Sequence, residues 1–434
     1  MSIPNPSGRV TTLSADEERK LKEVWAHFLR FWGTPVTLPS APKRTATTTS
    51  VASTKSNGDD KGKKKMFSKF RRGHKASKSS EKNELTSTRS NESIEANYTH
   101  KSIHESFKDL QPEDIYENFW NMLRTDSPDN LILRFLRARK WDSDKALAML
   151  AHTLHWRLKE SHVEDLLFGG EKRGIDNGED GFHLQFKLSK AYFRGYDNEG
   201  RPIVIIRPRL HHSNEQTEED IQKYTLLVIE EARLLLKEPV DSCSVLFDLT
   251  DFTMSNMDYA PVKFMIGVFE AHYPESLGKL FIHKAPWIFP PIWNIVKNWL
   301  DPVVAAKISF TKTAKDLHQF IPMKYIPNSL GGEDEFEMEY VEPVEGEDEL
   351  LNDKSTRDQL KSQRKEIITK FIEATVNWIE SNSDEESKKF LNEKIELGHQ
   401  LSINYAQLDP YIRARSVFDR IGMIDVKKSA GLEN

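Results

Sequence analysis

Apolar and polar residues follow different periods along this chain, and the changes of period divide it into regions. From Ser14 to Trp32 the apolar residues recur every three or four positions, which predicts an amphipathic helix in residues 1–34. Ser14 followed by Glu17 matches a capping box. We expect this helix to dock on the main body rather than to act as a free membrane anchor. Residues 35–107 are poor in apolar residues and rich in Ser, Thr and Lys, which predicts a disordered linker.

Helical spacing returns from Glu113 to Glu160 and predicts a small helical subdomain, which we assign to residues 108–170. Within it, the sequence LRFLRARKWD interleaves apolar and basic residues. The basic residues are Arg134, Arg137, Arg139 and Lys140. By themselves, such residues are typical of a solvated helix face.

A new pattern begins near Gly181, where short apolar runs alternate with helical segments up to residue 335. The expected strands are 192–195, 202–206, 244–249, 279–282 and 307–310, and the expected helices are 218–237, 259–272, 291–300 and 314–320. Continuous apolar strands that alternate with helices predict an α/β fold with a mostly parallel sheet and flanking helices, in residues 171–335. Residues 336–434 read as an acidic linker followed by C-terminal helices.

The segment from Tyr273 to Gly332 combines a strongly apolar helix with two isolated charged residues, Glu275 and Lys307. The helix and its approach carry Trp287, Phe289, Ile292, Trp293, Ile295, Val296 and Trp299. This stripe is wide enough for core packing, but it is also suited to covering a lipid. Glu275 precedes the expected strand 279–282, and Lys307 opens the expected strand 307–310. If these parallel strands are neighbours, both residues lie at the N-terminal edge of the sheet, and an ion pair there would be either structural or part of a polar ligand site.

Composition and motifs narrow the function. In 434 residues, 38% are hydrophobic and 30% charged, with a net charge of −5, so disordered segments beside one core are expected and a global polyanion-binding signal is absent. The single cysteine, Cys243, excludes an internal disulfide framework. No phosphate loop, hydrolase elbow or zinc-binding helix motif is present, and we expect no metal site and no enzyme activity.

A basic cluster, Lys61–Lys78, interrupts the linker and contains Met66, Phe67 and Phe70. A solvated linker, attraction to an anionic membrane surface and nucleic-acid binding are the three interpretations, in that order. The first residues lack the pattern of a secretory leader, and no apolar run approaches the ~20 residues needed to span a bilayer. We therefore expect a cytoplasmic protein that visits membranes peripherally.

Five motifs in order, LRFLRARKWD, VLFDLTD, YPESLGKLFIHKAP, WLDPVVAAKI and IPNSLGGE, together resemble the CRAL–TRIO lipid-transfer proteins, and the fungal phosphatidylinositol transfer branch in particular. The resemblance covers about residues 113–335. It implies the CRAL–TRIO fold, with one lipid whose acyl chains lie inside and a helical gate near 290–300.

The resemblance also assigns roles to residues of this chain. It implies that Arg139, with Lys140 adjacent, and Glu275 and Lys307 contact an inositol phosphate headgroup. In relatives that also carry phosphatidylcholine, hydroxyl residues lie on the strand before the Asp-Leu pair. Here those positions are Cys243 and Val245. A different hydrophobic second ligand, such as a sterol-like lipid, is therefore expected.

We expect non-vesicular phosphatidylinositol binding and transfer between membranes, with no cofactor other than the bound phospholipid. A lipid-sensing adaptor that binds without net transfer is the first alternative, and an α/β enzyme and a nucleic-acid binder are the others, although no nucleic acid is expected. The partners would be phosphatidylinositol, a transiently visited membrane surface and a lipid kinase. The endoplasmic reticulum, endosomes and lipid droplets are the candidate membranes.

Overall fold

The computed structural model describes residues 6–38 and 103–432 of the chain. The linker cluster Lys61–Lys78 lies outside these residues. The helices are α1 (Ala15–Phe31), α2 (Pro112–Met122), α3 (Pro128–Ala138), α4 (Ser143–His155), α5 (Val163–Asp176), α6 (Asp180–Lys187), α7 (Glu218–Arg233), α8 (Tyr259–Ala271), α9 (Phe289–Val296), α10 (Pro302–Ala305), α11 (Ala314–His318), α12 (Lys354–Glu380), α13 (Asp384–Leu408), α14 (Val417–Arg420) and α15 (Val426–Ser429). The strands are β1 (Ala191–Tyr196), β2 (Pro202–Ile206), β3 (Cys243–Asp248), β4 (Leu277–His283) and β5 (Ile308–Thr311).

The five strands form one sheet in the order β1-β2-β3-β4-β5. β1 pairs with β2 in antiparallel orientation, and the other three pairings are parallel. The parallel pairings join strands separated by helices, as a βαβ crossover requires. The predicted α/β fold with a mostly parallel sheet is confirmed.

A second core is entirely helical. It brings the N-terminal helix α1 together with α2, α3 and α4 and with the long C-terminal hairpin α12–α13. Ser14 and Glu17 form the predicted capping box at the start of α1. Trp25 is fully buried and its indole Nε1 donates a 2.6 Å hydrogen bond to Asp129. α1 is therefore docked in this core, as expected.

One face of the sheet is closed by the chain that follows α11. Phe281 of β4 is fully buried and contacts Phe320 at a ring-centroid distance of 5.3 Å. Arg194 of β1 pairs with Asp334 at 2.6 Å, and Met338 is buried nearby. The acidic stretch read as a linker thus runs along this face, because its alternate positions are apolar and provide a period-two pattern that the charges hide.

The opposite face is packed against α7, α8, α9 and the C-terminal tail. Phe418 of the tail contacts Phe193 of β1 at a ring-centroid distance of 4.7 Å. Arg413 has no exposed surface and its guanidinium pairs with Asp409 and Asp419 at 2.8 and 2.7 Å. This ion pair network fixes the tail where it completes the core of the sheet domain.

Candidate functional site

Two rows of apolar side chains cross this opposite face of the sheet. Strand register aligns the first row, Val204, Val245, Leu280 and Ile308, and the second row, Ile206, Phe247, Ile282 and Phe310. Because side chains alternate along a strand, both rows lie on the same face. In the first row Val204 and Val245 are buried whereas Leu280 and Ile308 are half-buried, and at the β5 end of the second row Phe310 is 52% exposed. The apolar face of the sheet is therefore open on the β5 side, and we call it the apolar floor.

The two strongly apolar helices α8 and α9 cover the apolar floor, but most of their own side chains are not buried. Val268 is the one buried residue of α8, and Ile292 the one buried residue of α9. The other apolar residues of these helices are half-buried or exposed, including Phe264, Ile266 and Ile295. Side chains of a kind that normally fills a core thus keep part of their apolar surface exposed beside the sheet.

The predicted gate residues are divided between this interior and the surface. Phe289 and Trp293 of α9 contact Phe310 on the floor, at ring-centroid distances of 6.4 and 5.1 Å. Trp299 contacts Tyr259 at 5.7 Å and so ties the end of the gate segment to the start of α8. Val296 is half-buried against Ile282 and Leu249.

Trp287 and Ile295 face outward instead. Trp287 is 89% exposed and Ile295 is 43% exposed, and Val303 of α10 is 59% exposed. Large apolar side chains with this exposure are usually singly scattered on a protein surface. Trp287 lies two residues before α9, and Ile295 lies on α9, the helix whose Phe289 and Trp293 contact Phe310.

The two strand positions predicted to contact a second ligand lie on the floor. Val245 is in its first row, and Cys243 precedes it by two residues on the same face. The sulfur of Cys243 contacts the Ala232 carbonyl oxygen of α7 at 3.9 Å, and burial raises the pKa of its thiol to about 12. Cys243 therefore contributes a neutral thiol to the floor.

The charged residues predicted at the N-terminal edge of the sheet do lie there. Glu275 precedes β4 by two residues and adopts a φ of 59°, and Lys307 immediately precedes β5. The expected ion pair between them is absent from the contacts of the described residues. The Lys307 ammonium donates a 2.7 Å hydrogen bond to the Leu277 carbonyl instead. The Lys307 ammonium is thus bonded to a backbone carbonyl and not to Glu275, whose backbone is in the left-handed conformation.

The helical subdomain supplies further positive charge to this edge. Arg134 of α3 donates to the Ser276 hydroxyl at 3.4 Å, which places the C-terminal half of α3 beside the start of β4. Burial lowers the pKa of Arg137 to about 10, with the Asp241 carboxylate opposing and the positive charges of Arg9 and Arg134 reinforcing this effect. The Glu275 carboxylate also opposes the lowering of the Arg137 pKa.

Arg139 and Lys140 lie just beyond the end of α3. Arg139 is the C-terminal cap of α3 and lines an open groove of about 350 Å³ together with Met149, His152 and Ala271. Within the described residues, its guanidinium makes no ion pair. Lys140 is exposed. Glu275 and Lys307 lie shortly before the neighbouring strands β4 and β5, at one edge of the sheet, and Arg139 lines its groove together with Ala271, the last residue of α8.

Sequence analysis missed three residues at this edge, namely Gly8, Arg9 and Asp241. Gly8 and Arg9 are distant in sequence from the motifs, Asp241 lies four residues before VLFDLTD, and no local pattern marks any of the three. In the described part of the chain, no group of three His, Cys, Asp or Glu side chains is arranged to hold a metal ion. Within 6–38 and 103–432, no helix combines the length and apolarity needed to cross a bilayer.

An apolar floor that is covered by an apolar helix and has charged residues at its edge defines a binding protein for an amphiphile. Family models agree: residues 186–332 match the CRAL/TRIO domain, and residues 100–152 match the CRAL/TRIO N-terminal domain. The chain is 49% identical over 441 residues to "Phosphatidylinositol transfer protein CSR1" of Eremothecium gossypii, covering 96% of this chain and 98% of that protein. The chain belongs to the CRAL–TRIO family, and the predicted resemblance is confirmed.

Two further relatives extend the comparison. The chain is 38% identical to "CRAL-TRIO domain-containing protein C3H8.02" of Schizosaccharomyces pombe, over 97% of this chain and 93% of that protein. A solved structure, "Crystal structure of Sfh5", matches with a TM-score of 0.40 and 17% identity, covering 56% of this chain and 81% of that one.

Proposed function

We propose that this protein binds one phosphatidylinositol molecule and transfers it between membranes. The observation that carries the proposal is the open apolar floor beneath α8 and α9, next to the charged edge around Glu275. Burial of acyl chains on this floor would supply about 0.8 kcal/mol per CH₂ group. The name of the Eremothecium gossypii relative, a phosphatidylinositol transfer protein, supports phosphatidylinositol as the ligand.

In this proposal the inositol phosphate lies at the N-terminal edge of the sheet. The Arg139 guanidinium, free of a carboxylate among the described residues, is suited to hydrogen-bond a phosphate. Glu275 would accept hydrogen bonds from inositol hydroxyls, and Lys307 and Lys140 would add positive charge. When the lipid binds, the Lys307 ammonium would either exchange the Leu277 carbonyl for the lipid phosphate or donate to both acceptors at once. A carrier of this kind forms and breaks no covalent bond, and no cofactor is needed.

The gate segment is the proposed contact with the membrane. Trp287, just before α9, and Val303, on α10, are exposed, and aromatic and apolar side chains of this kind partition into the bilayer interface. Lys297 is exposed on the same segment and would meet anionic headgroups. Opening of α9 at the bilayer would then expose the apolar floor to an incoming lipid. The cytoplasm and its membrane surfaces are the proposed location, and presentation to a lipid kinase is a proposed use of the bound lipid.

A second, more hydrophobic ligand is also proposed. Cys243 and Val245 present no hydroxyl group on the floor, so a phosphocholine group would find no hydrogen-bond donor from these two side chains. A sterol-like molecule matches an apolar floor better. Competition of a fluorescent sterol with phosphatidylinositol would test this, and tighter competition by phosphatidylcholine than by the sterol would contradict it.

A vesicle assay tests the main proposal. Labelled phosphatidylinositol moves from donor to acceptor vesicles, and we expect Lys307→Ala and Glu275→Lys to lower the transfer rate about ten-fold with folding intact. Lys312, exposed at the other end of β5, provides the matched control Lys312→Ala, which should transfer normally. Unchanged transfer by folded Lys307→Ala would contradict the headgroup assignment. Binding without transfer by the wild-type protein would favour the lipid-sensing adaptor.

A further inference from the structure

The N-terminal segment reaches across the molecule to the edge of the sheet. The Arg9 guanidinium donates to Asp241 Oδ1 at 2.6 Å, and the Arg137 guanidinium donates to Asp241 Oδ2 at 2.9 Å. A second nitrogen of Arg137 donates to the Gly8 carbonyl at 2.7 Å. We call Gly8, Arg9, Arg137 and Asp241 the N-terminal clasp. It joins three parts of the chain that are far apart in sequence: the N-terminus, α3 and the approach to β3.

The clasp is closely fitted and not a loose surface contact. Gly8 has a φ of +68°, and a Cβ atom there would lie 3.0 Å from Arg137 Cδ and 3.2 Å from the ring of Trp141. A side chain at this position would therefore be strained and crowded. The neighbouring Val10 is 4% exposed, and its backbone N–H donates to Asn130 at 3.0 Å. The segment is fixed on both sides of Arg9.

The clasp touches the turn that carries two of the proposed headgroup residues. Lys140 and Trp141 have φ values of 54° and 63°, so two consecutive residues with side chains are left-handed. Such a conformation costs on the order of 1 kcal/mol or more per residue and persists when its surroundings hold it in place. The Trp141 N–H donates to the Leu136 carbonyl at 2.7 Å, and Gly8 packs against the Trp141 ring. Arg139 is the residue immediately before this turn.

The clasp also carries an excess positive charge. Arg9 and Arg137 share one carboxylate, and their side chains are each 13% exposed. Two guanidinium groups on one carboxylate leave an excess positive charge beside α3, whose Arg134 donates to Ser276, the residue after Glu275. Loss of Arg9 would leave Arg137 alone on Asp241 and remove the contact that holds Gly8 in place.

We propose that Gly8 and Arg9 are positioning residues for an inositol phosphate headgroup, acting through Arg137 and the turn at residues 139–141. This inference rests on the proposed phosphatidylinositol function and names further residues of the same site. Neither Gly8 nor Arg9 contacts the lipid in this arrangement. They hold Arg139 and Lys140 in the conformation in which the headgroup meets them.

The test uses the full chain with Gly8→Ala and Arg9→Ala, and with Arg357→Ala as a matched control, because Arg357 pairs with the exposed Asp358 beside it on α12. Phosphatidylinositol affinity is measured by uptake from vesicles, and the mobility of residues 139–142 by hydrogen exchange. We expect about ten-fold weaker binding and faster exchange in this turn for both clasp variants, with recovery in Arg9→Lys and no change in Arg357→Ala.

Two results would overturn the inference. One is normal affinity in folded clasp variants, whether or not the turn exchanges faster. The other is weaker binding with unchanged exchange at residues 139–142. Lys307→Ala serves as the reference: if it loses affinity while the clasp variants do not, the positioning role fails and the headgroup site stands. If the wild-type protein takes up no phosphatidylinositol, the proposed function itself fails.

Discussion

Replacement of Glu230 by glutamine tests how the helical subdomain is joined to the sheet. Glu230 of α7 has no exposed surface and accepts hydrogen bonds from Arg157 at 2.7 Å, Arg124 at 3.2 Å, Arg233 at 3.1 Å and the Tyr273 hydroxyl at 2.7 Å. Tyr273 lies two residues before Glu275. One carboxylate thus links α7, the turn after α2, the end of α4 and the approach to β4.

The expected cost follows from the three guanidinium groups that lose their shared anion. Removal of one partner from a buried ion pair typically costs about 3–5 kcal/mol. Glu164 still pairs with Arg124 and Arg157, each at 2.5 Å, so the lower end applies. We expect Glu230→Gln to lower the free energy of unfolding by about 3 kcal/mol at pH 7, and the Tm by about 4 °C.

The pH dependence has a definite sign. Burial alone would raise the pKa of Glu230, but Arg157, Arg233 and Arg124 outweigh it and hold the pKa well below its ordinary value. A carboxylate whose pKa is lowered by folding contributes stability above its unfolded pKa and loses it as the pH falls. The difference between wild type and Glu230→Gln should therefore narrow below about pH 4.

Urea unfolding, followed by circular dichroism and tryptophan fluorescence at pH 7 and pH 3.5, measures this difference. Asp176→Asn is the control, because Asp176 pairs with Lys172 on the surface at 2.7 Å and such pairs contribute about 0–1 kcal/mol. A loss below about 1 kcal/mol for Glu230→Gln at pH 7, or a difference that is the same at both pH values, would refute the reasoning.

Three further changes have expected outcomes. Burial lowers the pKa of Lys394 to about 8, although Asp129 at 2.8 Å opposes this shift. Between about pH 8 and pH 10.5 the unfolded chain therefore binds more protons than the folded chain, and the free energy of unfolding of the wild type should rise with pH relative to that of Lys394→Met. Parallel pH profiles of the two proteins would contradict this. Trp287→Ser should weaken sedimentation with anionic vesicles several-fold while circular dichroism is unchanged, and equal sedimentation would exclude Trp287 from the membrane contact. Ile308→Trp should retain the wild-type Tm and lose lipid uptake, because the added ring occupies open space on the floor; a loss of stability of about 1–3 kcal/mol would instead indicate a filled core.

The fold was largely readable from the sequence because its signals are local. Each strand is a short apolar run, and each crossover helix has a clear period, so the α/β assignment needed no tertiary information. The stretch from Glu333 onward was harder, because Asp334 and its acidic neighbours mask the alternation of Phe336 and Met338. Buried charge was the other obstacle. Glu230 interrupts an apolar run of α7, and two of its three arginine partners, Arg124 and Arg157, come from other parts of the chain.

The candidate site was predicted in part for the same reason. Glu275 and Lys307 lie beside consecutive parallel strands, so their shared edge follows from topology. Their contacts do not follow from topology, because the hydrogen bond from Lys307 to the Leu277 carbonyl depends on the conformation of one flexible side chain. The contribution of Arg9 was beyond any local pattern, because it depends on the N-terminus crossing to Asp241.

Native mass spectrometry of the purified full chain, with identification of any co-purified lipid, tests the central claim most directly. We expect a population whose mass exceeds that of the protein by one phosphatidylinositol molecule, and its loss in Lys307→Ala but not in Lys312→Ala. A wild-type protein that carries no lipid, and takes none up from vesicles that contain phosphatidylinositol, would contradict the claim that the apolar floor holds this lipid.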